Sequence, residues 1–300
     1  MYSPGAYNRV LQVTPSGIRA QSAMEYLMTY GWAILVIAVV LGILFQLGVF
    51  GGANLAPKAK SGSCIVQKTS VSTALEGMCQ GELPQFVATV SGSGEMKLNN
   101  PAGFPIGTQP MSIFAWIETS NTGRQNIFAY GPCNTAQLVF FAVDNGRIEV
   151  DFCGDSTNPG PTIDNGAWHF VGFTIAGGTT AVTFYVDGQA YPSSVGTVPN
   201  IAGGTYANVI NNNAGVNGYQ GCCLFYGEIA NVQLYNATLS PAEANALYLE
   251  GIGGAPVKPQ NIVGWWPLNG DVNDYSGNNN NGQNLGVGYS SSWASAYTAP

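Results

Sequence analysis

"WHFVGFTIAGGTTAVTFYVDGQ", residues 168–189, decides the fold. Its two apolar runs, Trp168–Ile175 and Ala181–Val186, are dense in β-branched and aromatic residues, which suit a pleated, half-buried surface. Asp187-Gly188 then supplies the positive φ that a tight hairpin turn needs. The same reading extends to "QFVATV", "MSIFAWIET", "QLVFFAV", "RIEVDF" and "EIANVQLY", with Gly, Asn, Asp and Pro clusters between them. "FFAVDNGRIEV" is a second hairpin, turning at Asp144-Asn145-Gly146.

One segment alone reads as an amphipathic helix, "LSPAEANALYLEG". Ser240 is its N-cap, Pro241 takes the first helical position, Glu243 closes a capping box and Gly251 ends it. Many short strands with one short helix predict an all-β protein, a two-sheet antiparallel jelly roll sandwich.

The N-terminal part is of another kind. Leu27 to Phe50 is an apolar run of 24 residues, interrupted only by Thr29 and Gln46. As a helix it would reach about 36 Å, enough to cross a hydrocarbon core of about 30 Å. It predicts one long transmembrane α-helix ahead of the sandwich. Arg9 and Arg19 precede the run, so the chain after Phe50 is expected outside the cell. A cleaved secretory signal has a shorter apolar region with small residues after it; here Ala20, Gln21 and Glu25 come first.

Arg19-Ala20, Gln21, Glu25 and the unbroken apolar helix resemble the N-terminus of archaeal type IV prepilins, with a class III signal peptide. Ala23 departs from the Ser common there. The resemblance implies a leader, residues 1–20, removed by a prepilin peptidase between Ala20 and Gln21. The helix, residues 21–52, then anchors the chain in membrane lipid or forms a filament core with like subunits. A carboxylate in the apolar zone is costly and needs a cation. Glu25 lies one turn from the new Gln21 amine, on the same face, which suits a role in assembly.

Composition bounds the rest. Only 8% of the 300 residues are charged, while 46% are hydrophobic. That much apolar material argues for a packed core rather than disorder. With so few carboxylates, acid has little to titrate. Net charge is −7 with nine basic residues, which excludes a nucleic-acid partner dependent on a basic surface. All six cysteines, Cys64, Cys79, Cys133, Cys153, Cys222 and Cys223, follow the apolar run. An even count there reads as disulfides in an oxidising space, with 15 possible pairings. Cys64 with Cys79 is the most local; Cys133 and Cys153 flank a hairpin. Adjacent Cys222 and Cys223, if on a strand, face opposite ways. With no CxxC pair and one histidine, His169, zinc is not expected.

Four motifs together resemble a second family, the laminin-G-like domains of the concanavalin-A-like jelly roll: "MSIFAWIETS" with Trp116, "WHFVGFTI" with "VTFYVDGQ", "FYGEIANVQLYNATLSPAEANALY", and "GWWPLNGDVNDYSGNNNNG". The last usually opens such a domain and here closes it, which implies a circular permutation. The expected organisation is a linker at 53–63 and one domain at 64–300, with 261–300 completing the sandwich. Residues 261–268 are expected to pair near "QFVATVSGSGEMKL". Trp265 and Trp266 cannot share a strand face, so one should enter the core and the other cover an outer groove or meet a partner.

The fold also hosts glycosidases, which need two carboxylates across the scissile bond. The nearest pattern is "EVDFCG", where Glu149 and Asp151 share a face but Gly154 replaces a third acid. They read as an exposed strand face, and His169 as structural, so no enzyme is expected. For calcium, Asp271, Asn273, Asp274, Ser276 and Asn278 offer oxygens in one loop; the competing reading is an Asn-rich turn. Aromatics in loops such as "NNNAGVNGYQG" suit stacking on sugar rings. Asn236-Ala237-Thr238 is the single glycosylation sequon. The resemblances imply a pilin-like, membrane-anchored surface protein that binds glycan or protein ligands. The alternatives are an anchored lectin-like protein that never polymerises and a degenerate glycoside hydrolase.

Overall fold

The computed structural model describes residues 18–46, 58–211 and 223–300. It divides into two units, Met1–Asn54 and Leu55–Pro300. The first contains α1 (Ile18–Gln46), a 29-residue helix. Ala20, Gln21 and Glu25 fall in its opening turns, but their side chains lie outside the described residues. Side chains in α1 are described at 28 and 30–43; all are exposed, Trp32 at 70%. Among the described residues no helix is long and apolar enough to cross a membrane.

The second unit opens with four short strands: β1 (Lys58–Ala59), β2 (Cys64–Lys68), β3 (Thr73–Gly77) and β4 (Leu83–Pro84). Then follow β5 (Val87–Ser91), β6 (Glu95–Asn99), β7 (Met111–Glu118), β8 (Gln125–Tyr130), β9 (Val139–Asp144), β10 (Arg147–Asp151) and β11 (Ser156–Thr157). Next come β12 (Trp168–Ile175), β13 (Ala181–Val186), β14 (Gln189–Ser194), β15 (Tyr206–Val209) and β16 (Tyr226–Tyr235). Helix α2 (Pro241–Glu250) precedes β17 (Ile262–Trp266), β18 (Gly282–Leu285) and β19 (Gly288–Ser290).

Two sheets face each other. One runs β11-β10-β9-β8-β15-β6-β18; the other runs β14-β13-β12-β7-β16-β5-β19, with β17 also on β16. All their pairings are antiparallel. Alternate residues of both fill the space between, among them Ile113, Phe128, Phe141, Phe173, Leu234 and Trp266. Burial of this apolar area is the main stabilising term. Both expected hairpins turn through positive φ, at Asn145 and Gly146 and at Asp187 and Gly188. The capping box of α2 forms as read: Ser240 accepts from the Glu243 N–H, and the Glu243 side chain accepts from the Ser240 N–H.

Several expectations need correction. Residues 58–61 are not linker: β1 pairs with β4, and Ser61 Oγ donates to Asp271. Residues 262–266 do form a strand of the sandwich, but their partner is β16, not the 85–98 region. The strands that reach that region are β19, on β5, and β18, on β6. The reason is local. Asn231 bulges out of β16 at φ 53°, and its amide donates to Gly254 O at 2.8 Å while its Oδ1 accepts from Trp265 Nε1 at 2.8 Å. Trp265 and Trp266 do face opposite ways, yet both are buried. Trp266 lies between the sheets, and Trp265 sits in a second cluster with Trp116, Leu247 and Trp293, outside the eight-stranded sheet.

Candidate binding site

The outer side of the eight-stranded sheet is covered by α2 and the C-terminal segment. The outer side of the seven-stranded sheet carries the polar residues. Register places Asp151 opposite Phe140, Phe140 opposite Ala129, Ala129 opposite Asn208, Asn208 opposite Lys97, and Lys97 opposite Gln283. Residues directly opposite share a face, so this is one row across six strands. Flanking rows add Glu149, Ala142 and Asn126, and Tyr206 with Asn99.

At one end Arg124 bridges two acids. Its Nε lies 2.7 Å from Glu149 and its Nη2 2.7 Å from Asp151, over the Phe140 ring. These carboxylates are not exposed, as the sequence suggested, but 4% exposed each. Leu138, Phe140, Ala129 and Ala142 form a small apolar cluster on this face beside Cys133 and Cys153. Burial pushes the Glu149 carboxyl up, and Arg124 pulls it partly back. For Arg124 burial disfavours the charge, but its bonds to Asp151 and Glu149 outweigh that and hold it protonated. The acids are spent on an ion-paired triad, and Asp151 Oδ1 also accepts from Gly154 N–H at 2.8 Å. That geometry holds a strand edge together; it does not set two free carboxyls across a glycosidic bond.

The other end is more open. Tyr206 is 37% exposed, with Lys97 Nζ 3.8 Å from its ring centre. Asn99 Nδ2 donates to Gln283 Oε1 at 3.5 Å. Between them Asn208 is fully buried, and neither its Nδ2 nor its Oδ1 has a hydrogen-bond partner. Asn126 Oδ1, on the adjacent strand β8 and the same face, is also unpartnered. Buried amides are nearly always paired, and leaving one unpaired costs about 1–3 kcal/mol. An aromatic ring, a cation and unspent amide groups on one face are the chemistry that takes up hydroxyls.

The Asp271–Asn278 loop is different. Asp274 Oδ1 accepts from the N–H groups of Trp265 and Ser276, at 3.0 and 2.8 Å. Its Oδ2 accepts from Ser276 Oγ at 2.9 Å and from Asn280 N–H at 2.8 Å. Asp271 takes Tyr275 Oη at 2.7 Å and Asn273 N–H at 3.1 Å. Asn278 donates to Ile262 and Val263 carbonyls, and its Oδ1 accepts from Lys68 Nζ at 3.1 Å. Calcium needs six to eight oxygens turned toward it. Here they face protein donors, so these residues do not fit the ion; the loop latches β17 to the N-terminal hairpin. Among the described residues no cluster of three or more His, Cys, Asp or Glu is placed to hold a metal.

Asn236 is exposed, and its Oδ1 accepts from Asn261 Nδ2 at 3.0 Å; Thr238 Oγ1 donates to Ile175 O at 2.9 Å. Cys64–Cys79 and Cys133–Cys153 are both bonded. Cys223 is not on a strand and has φ 65°; Cys222 and most of "NNNAGVNGYQG" lie outside the described residues. His169 is tied to Asp187 through Nδ1 at 2.7 Å and to Asn165 through Nε2 at 3.0 Å.

No curated protein matches the sequence. Among solved structures, a candidate carbohydrate-binding protein from Bacteroides ovatus is similar at 14% identity and a TM-score of 0.54, over 75% of this chain and 65% of that one. The mouse laminin α1 chain, domains LG4-5, aligns at 15% identity and a TM-score of 0.42, over 62% of this chain and 48% of that one. A pentraxin from Limulus polyphemus aligns at 12% identity and a TM-score of 0.45, over 58% and 85%. The chain thus spans less than two thirds of the first two structures it resembles. A family model matches residues 90–245, from the end of β5 into α2. The chain belongs to the concanavalin A-like lectin/glucanases superfamily.

Proposed function

We propose that this is an anchored cell-surface protein whose jelly roll binds glycans on the outer face of its seven-stranded sheet. The observation that carries the reading is Tyr206, a ring 37% exposed on that face, with Lys97 beside it and the exposed amides of Asn99 and Gln283 next to them. Sugar hydroxyls donate and accept, so they satisfy both halves of an amide, while Tyr206 offers a ring face. The fold shared with the Bacteroides ovatus protein is compatible with this use, though fold alone assigns no function. The test is a glycan array probed with the full chain, wild type and Tyr206→Ala. Binding to a defined set of glycans, lost in the variant, is the expected result. Equal binding by both proteins, or none by the wild type, overturns it.

The anchor belongs to the same proposal. The motif Arg19-Ala20-Gln21 with Glu25, followed by the apolar run to Phe50, supports removal of residues 1–20 by a prepilin peptidase. The retained helix would hold the protein in the cell membrane, with the sandwich outside, or in a pilus-like filament. N-terminal mass spectrometry of the native protein is expected to find Gln21 first; a chain that keeps Met1, or starts after Phe50, sinks this part. Glu25→Ala should leave cleavage intact and weaken assembly of like subunits, read by imaging of cell appendages. The closing position of residues 261–300 is in keeping with a permuted laminin-G-like order.

A further inference from the structure

A cleft of about 220 Å³ opens on the opposite side of the sandwich, between the β12–β13 edge, α2 and the C-terminal segment. Its walls include Trp116, Trp168 and Tyr248, and its rim His169, Asp187 and Thr298. Trp116 and Tyr248 are stacked, with ring centres 5.9 Å apart and planes 20° from parallel. The Asp187-Gly188 turn backs onto this pair: a Cβ on Gly188 would stand 2.7 Å from Tyr248 Cδ1. Asp187 is held by His169 Nδ1 on one oxygen and by the Phe170 N–H on the other.

The two indoles are not alike. Trp168 Nε1 donates to Trp293 O at 3.2 Å. Trp116 is 2% exposed, and its Nε1–H has no acceptor. Trp116 thus lines the cleft with its indole donor buried and unpartnered, and such a donor calls for an acceptor from elsewhere.

We propose that this cleft is a second binding site, for one neutral sugar ring. It does not rest on the reading of the seven-stranded sheet. The volume is below that of a drug-sized pocket, about 300 Å³ and up, and suits a single ring. A pyranose has an apolar C–H face for the aromatic wall and hydroxyls for the polar rim, and one hydroxyl oxygen can accept from Trp116. An anion would meet the Asp187 carboxylate. A cation would leave the Trp116 donor unmet, and an aliphatic ligand would also waste the rim.

The experiment uses the full chain in phosphatidylglycerol nanodiscs, free of sugar-headed detergent. The indole N–H resonance of Trp116, assigned by its loss in Trp116→Phe, is followed while methyl glucoside, galactoside and mannoside and N-acetylglucosamine are added one at a time. Tetramethylammonium and acetate are the control probes. At least one sugar is expected to shift that resonance, with affinity unchanged in Tyr206→Ala. Trp116→Phe should bind that sugar about five- to tenfold more weakly, the worth of one neutral hydrogen bond, as read on the Trp168 indole signal. Tyr248→Leu, at the partly exposed wall, should weaken it too and guards against misfolding of the Trp116 variant. The proposal fails if no sugar moves the resonance, if only a control ion does, or if Tyr206→Ala abolishes the shift. Loss of array binding in Tyr206→Ala, with the cleft still occupied, separates the two sites.

Discussion

Arg124 is the residue on which two buried charges depend. With Glu149 and Asp151 each 2.7 Å away, the ion pairs offset a desolvation cost that neither acid meets alone. Arg124→Met is expected to destabilise the domain by about 3–5 kcal/mol at neutral pH. The loss should shrink in acid, because burial already raises Glu149 and the variant removes the guanidinium that pulls it back, so that carboxyl takes up its proton more readily. Urea unfolding at pH 7 and pH 4 checks this; an equal loss at both would refute it. A second acid pair behaves differently. Glu118 and Glu228 are directly opposite on β7 and β16. Burial raises Glu118, and the Glu228 charge raises it further; burial also raises Glu228, which Ser290 partly offsets. A carboxyl whose folded pKa lies above its unfolded value binds its proton more tightly when folded. Stability is therefore greatest below the ordinary value of 4.5 and falls as pH rises through the raised values. Glu118→Gln should flatten that fall and stabilise the protein at neutral pH. A melting temperature that depends on pH identically in both proteins would speak against it.

At the scale of elements, some of the fold is legible in the sequence because its causes are local. The Asp187-Gly188 turn, the Asn145-Gly146 turn and the Ser240–Glu243 capping box each need only a few neighbouring residues. Strands β6, β8 and β15 are not legible in the sequence because Lys97, Asn126 and Asn208 interrupt their apolar pattern. Those residues point to the outer face, and that face is the candidate site. The site itself was illegible for a second reason: its row joins Asp151 to Gln283 through four intervening strands, and no sequence spacing encodes that register. The partner of β17 is not legible in the sequence because nothing local marks the bulge at Asn231. That bulge leads to a prediction: Asn231→Ala leaves Trp265 Nε1 without its acceptor and Gly254 O with Gln233 Nε2 alone, at 3.3 Å, and should cost about 1–3 kcal/mol. Denaturant midpoints would measure it, and a change within error would mean the bulge is dispensable. Truncation after Gly254 removes β17, β18 and β19 and exposes the facing core. It should yield insoluble protein, and a soluble product as heat-stable as the full chain would show the segment to be an appendage.

At the scale of the molecule, low charge and raised carboxyls act in one direction. Buried Glu149 and half-buried Glu118 and Glu228 gain from protonation, while Glu243 is lowered mainly by the Ser240 N–H and then by Lys258, at the helix start. The domain should therefore keep its near-ultraviolet circular dichroism from pH 7 to pH 3; a steep loss between pH 5 and pH 3 would show that carboxylates stabilise it after all.

The placement of the last strands has a consequence in time. Gly282 pairs with Leu98 and Tyr289 with Ala88, so the first long strands of the sandwich wait for the last ones. A ribosome adding about 5–20 residues per second needs about 10–40 s to travel that far. Throughout that interval β5 and β6 each lack a neighbour that the finished sheets supply, and an unpaired edge invites other strands. The order of synthesis thus leaves β18 and β19 to set when the sandwich closes on β6 and β5.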